Sequence, residues 1–214
     1  MSRGDRLATP ARTRWASRFS PGGTENEGGK MYYFVRQNLF ETLNIIDFNP
    51  PASEVTISDW VNVDATVNPA APLVCELLPE YGSEFADYFD VTLPVMSRRL
   101  IAFLKQLGVD NFQQYPVVFK HPTTGREYRD HSAVKFSGVY DAIDRERSEK
   151  KIDFGEVCFE GSIVIDPKRV GELSVFRLKD GPNFLVATER VANALKTQNF
   201  KALLLQPTEE YSGT

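Results

Sequence analysis

The chain has 214 residues, 42% of them hydrophobic, and a formal charge of −4, a composition typical of one globular domain with a buried core. Its cysteines, Cys75 and Cys158, are far apart in sequence, so we expect both to be reduced, and no apolar run reaches the roughly 18–20 residues of a membrane span. Residues 1–30 carry a net charge of +3, which leaves −7 for residues 31–214 and argues against general nucleic-acid binding, because phosphates require a basic face.

The first thirty residues are rich in Arg, Ser, Gly and Pro and show no helical or strand period. They predict either a disordered basic tail or upstream sequence included by a mis-assigned start, since Met31 leads directly into an apolar run. They lack the apolar core of a secretory signal. We therefore expect a single domain at residues 31–207, followed by a flexible C-terminus at 208–214.

Short apolar runs separated by turn residues predict most of the secondary structure. A helix is expected at about 97–107, with Ser97 as N-cap and Gly108 after its end, and a second at 189–196 after Thr188. The turn Pro122–Gly125 indicates a hairpin. Strands are predicted at Tyr32–Val35, Leu43–Phe48, Val55–Val63, Leu73–Cys75, Tyr115–Lys120, Ala133–Tyr140, Val157–Ile165, Leu173–Leu178, Phe184–Ala187 and Lys201–Leu205. The pattern favours an α+β fold with a mostly antiparallel or mixed sheet and two principal helices.

Residues able to do chemistry are sparse. The chain has no glycine-rich phosphate loop ahead of a helix and only two histidines, His121 and His131, so we expect no cofactor and no metal. Asp141 and Asp144 would share a face if they formed a helical turn. A small hydrolase using Asp141, Asp144 and His131 remains one alternative.

Residues 76–90 combine carboxylates with aromatic side chains. Such a surface complements a basic partner, with aromatics as anchors, although the aromatics could equally face the core. The residues that we expect to contact a partner are Glu76, Glu80, Tyr81, Glu84, Asp87, Tyr88 and Asp90.

Between Pro94 and Pro207 lies an ordered set of short motifs: Pro94–Ser97, Leu104–Gly108, Asn111–Val117, Val139–Asp144 with Ser148, Val175–Leu178 and Val186–Leu195. In this order and spacing the set resembles a family of bacterial immunity-protein domains that occur beside polymorphic-toxin and type VI-delivered effector genes. Residues 31–93 fit the variable front half of that family.

The resemblance implies a cytoplasmic, non-enzymatic protein that binds and neutralises a cognate toxin encoded by a neighbouring gene, without binding nucleic acid or membrane. A nuclease toxin would present a basic cleft that suits the acidic segment. A general interaction or regulatory module is the other alternative. The family-matched residues are expected to be structural, because specificity generally resides in variable surface: Ser97, Tyr115, Pro116, Asp141, Asp144, Ser148, Phe176 and Arg177.

Overall fold

The computed structural model describes residues 30–38, 44–49, 72–90, 94–153, 156–159, 161–180 and 184–212. The predicted strand Val55–Val63 lies outside these ranges. The helices are α1 (Arg98–Gln106) and α2 (Glu189–Lys196), which confirms both helix predictions. The strands are β1 (Tyr32–Gln37), β2 (Asp47–Asn49), β3 (Leu73–Leu78), β4 (Tyr88–Asp90), β5 (Pro94–Ser97), β6 (Phe112–Lys120), β7 (Glu127–Phe136), β8 (Val139–Tyr140), β9 (Lys151–Asp153), β10 (Glu156–Cys158), β11 (Val175–Leu178), β12 (Leu185–Thr188) and β13 (Leu203–Pro207).

The strands form a six-stranded sheet in the order β2-β3-β6-β7-β5-β4, a five-stranded sheet in the order β13-β1-β12-β11-β8, and the two-stranded pair β9–β10. Most neighbouring strands are antiparallel, whereas β3 with β6 and β8 with β11 are parallel. The predicted α+β class with a mixed sheet is confirmed. The predicted hairpin is the β6–β7 pair, and Gly125 in its turn has a positive φ of 68°.

Helix α1 packs where the two large sheets meet. Ser97 has the extended backbone of an N-cap, and its Oγ accepts a hydrogen bond from the Leu100 amide at 3.2 Å. Leu100 and Leu104 share one apolar cluster with Val134 of the six-stranded sheet and Leu185 of the five-stranded sheet. The helix therefore joins both sheets through one core.

The prediction of one strand over Val157–Ile165 is wrong. Among the described residues this run is a strand only within β10 (Glu156–Cys158), because the chain turns at Gly161 (φ 97°) and then packs Ile163 into the core without strand pairing. Further along the chain, Glu209 and Glu210 are exposed, whereas Thr208 packs against this segment. Thr208 is buried in a 3₁₀ turn, and its carbonyl accepts a hydrogen bond from the Ile163 amide at 2.9 Å.

Candidate protein-binding surface

One face of strand β3 is buried and the other is open to solvent. Its odd-numbered residues Leu73, Cys75 and Leu77 are buried, while Val74 and Glu76 are exposed. This alternation follows from the period of two along a strand. The chain then turns at 79–80, so the exposed side of β3 continues directly into the loop that carries Glu80 and Tyr81.

The loop after β3 is held rigidly by Asn44. The Asn44 carbonyl accepts hydrogen bonds from the amides of Ser83 (3.1 Å) and Glu84 (2.9 Å), and its side-chain Oδ1 accepts from the Ser83 hydroxyl at 3.1 Å. The Glu84 carbonyl accepts from the Ile46 amide at 2.8 Å. These bonds fix the loop after its tip, and before the tip the Tyr81 amide donates a hydrogen bond to the Leu78 carbonyl at 3.2 Å. An interacting side chain at the tip would therefore lose little freedom on binding.

Gly82 allows this close approach. A Cβ atom added at Gly82 would lie 2.4 Å from the Asn44 carbonyl carbon and 2.5 Å from that of Ile45. Since both are backbone atoms, neither can rotate away. The loop conformation therefore depends on the absence of a side chain at residue 82.

The loop presents Tyr81 with 60% of its surface exposed, a large fraction for an aromatic residue. Glu84 forms an ion pair with Lys201. Glu76 and Glu80 make no ion pair within the part of the chain that the structure describes. The exposed groups here are thus an aromatic ring and two carboxylates that lack an ion pair with any residue in the described ranges.

Asp87, expected to contact a partner, is instead buried at 9% exposure and acts as a structural clamp. Its carboxylate accepts hydrogen bonds from the Ser97 hydroxyl (2.5 Å), the Arg99 guanidinium (2.6 Å) and the Lys201 amide (2.8 Å). Burial alone would raise the pKa of Asp87, but the bonds from Arg99, Ser97 and Lys201 together hold it below its ordinary value. The residue ties the acidic segment to the start of α1 and to the turn before β13.

Tyr88 and Asp90, also expected to contact a partner, lie on one side of β4, where Tyr88 is fully buried and Asp90 is half-buried. Burial raises the pKa of the Tyr88 hydroxyl, and the nearby Asp90 carboxylate raises it further. Burial raises the pKa of Asp90 to about 7, although the positive charges of Arg36 and Arg177 act to lower it. Burial also lowers the pKa of Arg177. These groups form an internal polar cluster rather than a recognition surface.

The side chains proposed for a hydrolase occupy different surroundings. His131 is buried beside Phe85, Phe89 and Phe119, with Nε2 at 2.9 Å from the Ala86 carbonyl oxygen. Desolvation lowers the pKa of His131, so its neutral form is favoured.

The two aspartates lie by the turn after β8. Asp141 forms an ion pair with Arg145 at 3.2 Å, and Asp144 Oδ1 accepts hydrogen bonds from the amides of Glu146 and Arg147. These partners stabilise the turn. The structure does not bring the aspartates and His131 together into one site.

The remaining family-matched residues make contacts within the domain. Ser148 is buried, and its Oγ accepts a hydrogen bond from the Val164 amide at 3.0 Å. Phe176 is fully buried and packs edge-on against Tyr32, with ring centroids 6.0 Å apart. Tyr115 packs partly against the core beneath β3, whereas Pro116 is exposed.

Within the described ranges, no group of three or more His, Cys, Asp or Glu side chains is placed to hold a metal ion. Neither of the two described helices is long and apolar enough to cross a membrane. The open side of β3 and the loop after it together expose Val74, Glu76 and Tyr81.

The comparison with protein families agrees with a binding role. The chain belongs to the Immunity protein family (Imm11), whose model matches residues 73–210, well over half of its length. The match includes β3 and the rigid loop as well as the motifs after Pro94. Membership puts the protein in the class that neutralises toxins. No curated protein matched the chain.

Sequence reasoning missed two residues of this surface. Val74 is 50% exposed, but the prediction from sequence places it only within a strand. The alternation of buried and exposed residues along β3 indicates that Val74 points away from the core. Asn44 carries no local signal of its role, because its partners are 39 residues away.

Proposed function

We propose that this protein acts in the cytoplasm as an immunity protein that binds one cognate bacterial toxin, encoded by a neighbouring gene, and blocks it. The observation that carries the proposal is the family match over residues 73–210. The rigid, exposed loop supports a binding mode in which a preformed surface meets the toxin with little rearrangement.

The contact residues that we propose are Glu76, Glu80, Tyr81 and Glu84. A rigid aromatic side chain is a frequent anchor in protein interfaces, and Tyr81 is presented with both flanks fixed. Glu76 and Glu80 supply negative charge that speeds the capture of a basic partner. A nuclease fits this description, because its substrate cleft must be basic to hold phosphates.

Co-expression with the toxin domain encoded beside this gene tests the proposal. Cells that produce the toxin alone should stop growing, and cells that also produce this protein should grow. The Asp87→Ala variant should protect less well than wild type because its folded state is less stable, whereas the matched control Glu146→Ala changes an exposed residue of the turn after β8 and should protect fully. Equal killing with and without the wild-type protein contradicts the proposal.

If the toxin is a nuclease, the purified protein should inhibit cleavage of DNA or RNA in proportion to the complex formed. Inhibition that requires a one-to-one complex separates a blocking protein from one that destroys the toxin. Growth protection without inhibition of nucleic-acid cleavage would show that the toxin is not a nuclease.

A further inference from the structure

One face of the six-stranded sheet is covered over only part of its width. Val134 of β7 is buried on this face beneath α1. Val134 lies opposite Gln114 of β6. Gln114 and Val118 are four residues apart on β6, so they point to the same side, and Val118 lies opposite Val74 of β3. All of these side chains therefore point to the same side. Val74 nevertheless keeps 50% of its surface exposed although β3 is an interior strand of the sheet.

The open part of this face has an apolar centre with acidic neighbours. Val74 and Leu78 share the face along β3 with Glu76 between them. Asp47 of β2 lies opposite Leu78, and Glu80 follows in the next turn. We call these five residues the β3 face: Asp47, Val74, Glu76, Leu78 and Glu80. Its three carboxylates make no ion pair within the described residues, while Lys120 lies opposite Glu76 without reaching it.

We propose that the β3 face is the docking surface for the toxin and that the toxin meets it with a patch in which lysines or arginines surround an apolar side chain. This inference rests on the proposed function and specifies its partner surface. An exposed apolar residue inside a sheet face loses water when covered, which favours association. Asp47 Oδ1 accepts a hydrogen bond from the Phe48 amide at 2.8 Å but keeps its negative charge, so the three carboxylates favour positive charges on the partner.

The same charges argue against a second copy of this chain as the occupant. Two copies related by a two-fold axis would place the β3 face against itself, and the like charges of Asp47, Glu76 and Glu80 would then lie close to one another. Charge complementarity thus favours a basic partner over self-association.

Binding measurements with the toxin, made inactive by substitution in its catalytic centre, test the inference. We expect Val74→Lys and Glu76→Lys each to raise the dissociation constant about tenfold or more, because each places a cation against a basic patch. The control is Glu172→Lys, which reverses an exposed carboxylate in the loop before β11 that makes no ion pair within the described chain. It should bind almost as tightly as wild type. All three variants should keep the melting temperature of wild type, because the altered side chains are exposed.

Labelling gives a second readout that does not depend on charge. In a Val74→Cys, Cys158→Ser variant, a maleimide should modify residue 74 quickly in the free protein and slowly in the complex. Cys75 should stay unmodified, because burial raises the pKa of its thiol to about 12. A Glu172→Cys control should be modified at the same rate in both states.

The outcomes separate the two proposals. Wild-type protein that neither binds nor inhibits the adjacent toxin overturns the proposed function. Wild-type protein that binds while both lysine variants bind equally well, with unchanged labelling at residue 74, overturns the β3 face alone. A concentration-dependent dimer that Val74→Lys abolishes would assign the face to a second copy and overturn the toxin assignment.

Discussion

The two halves of the acidic segment 76–90 contain similar residues but differ in their exposure to solvent. In the first half, Glu76, Glu80 and Tyr81 are exposed on β3 and its rigid loop. In the second half, Asp87 and Tyr88 are buried, with Asp87 holding three hydrogen-bond donors. The difference shows that the role of a carboxylate, whether to hold the fold together or to remain exposed, depends on the residues that the fold places beside it. Its neighbours in sequence do not determine that role.

Replacing Asp87 should give the largest effect on stability. Asp87→Ala leaves the Ser97 hydroxyl and the Lys201 amide without their acceptor and removes the partner of Arg99, which we expect to lower the free energy of unfolding by about 3 kcal/mol. Urea unfolding measures the loss. Glu80→Ala in the first half should stay within about 0.5 kcal/mol of wild type. Equal losses in both variants would remove the distinction between the two halves.

Gly82→Ala should have the next largest effect. The added Cβ meets the Asn44 backbone at 2.4 Å, so the loop must shift, and we expect a loss of about 2 kcal/mol. Gly125→Ala is the matched control: nothing lies within 4 Å of its Cβ position, and only the positive φ opposes the substitution. Toxin binding should weaken with Gly82→Ala and not with Gly125→Ala. Wild-type binding by Gly82→Ala would show that the rigid loop does not contribute to recognition.

The pH dependence of the free energy of unfolding should reveal the raised pKa of Asp90. An unfolded aspartate has a pKa of about 3.9, whereas burial raises that of Asp90 to about 7 in the folded protein. Between these values the folded state holds a proton that the unfolded state has released, so this group's contribution to stability is present at low pH and is lost as the pH rises towards about 7.

Asp90→Asn removes this contribution because the amide does not titrate. We expect the wild type to lose more stability than Asp90→Asn when urea unfolding is repeated at about pH 5 and about pH 8. The same pH slope in both proteins would contradict the raised pKa.

Tyr81→Ala should have the smallest effect on stability and a clear effect on binding. With 60% of its surface exposed, Tyr81 buries little area in the free protein, so unfolding should change by less than about 0.5 kcal/mol. As an anchor at the interface it should weaken toxin binding about tenfold or more. Calorimetry on the variant with and without toxin measures both. Unchanged affinity would exclude Tyr81 from the contact.

The helices and the hairpin could be predicted because their signals are local. Ser97 and Gly108 mark the two ends of α1, and the apolar residues between them repeat at helical spacing. The α+β class followed from many short strands around two helices. Within Val157–Ile165, Gly161 is a local signal for a break in the strand. The conformation after this glycine could not be predicted, because it depends on packing against Thr208 and Glu149.

The candidate site was predictable only in part for the same reason. Glu76, Glu80 and Tyr81 were identified from composition, but the burial of Asp87 depends on Arg99 and on Lys201, which is 114 residues further along the chain. Val74 could have been found from strand alternation. The role of Asn44 could not, since it acts through backbone atoms of a distant loop.

Strand β1 sets a condition on when the protein can fold during synthesis. It is paired on both sides, with β12 and β13, and its Arg36 contacts Gln206, which is 170 residues later. The ribosome must therefore have synthesised the chain beyond Pro207 before the five-stranded sheet can close, and pairing at such sequence separation is slow. Neutralisation of a toxin would then depend on protein that had already folded, not on chains still being translated.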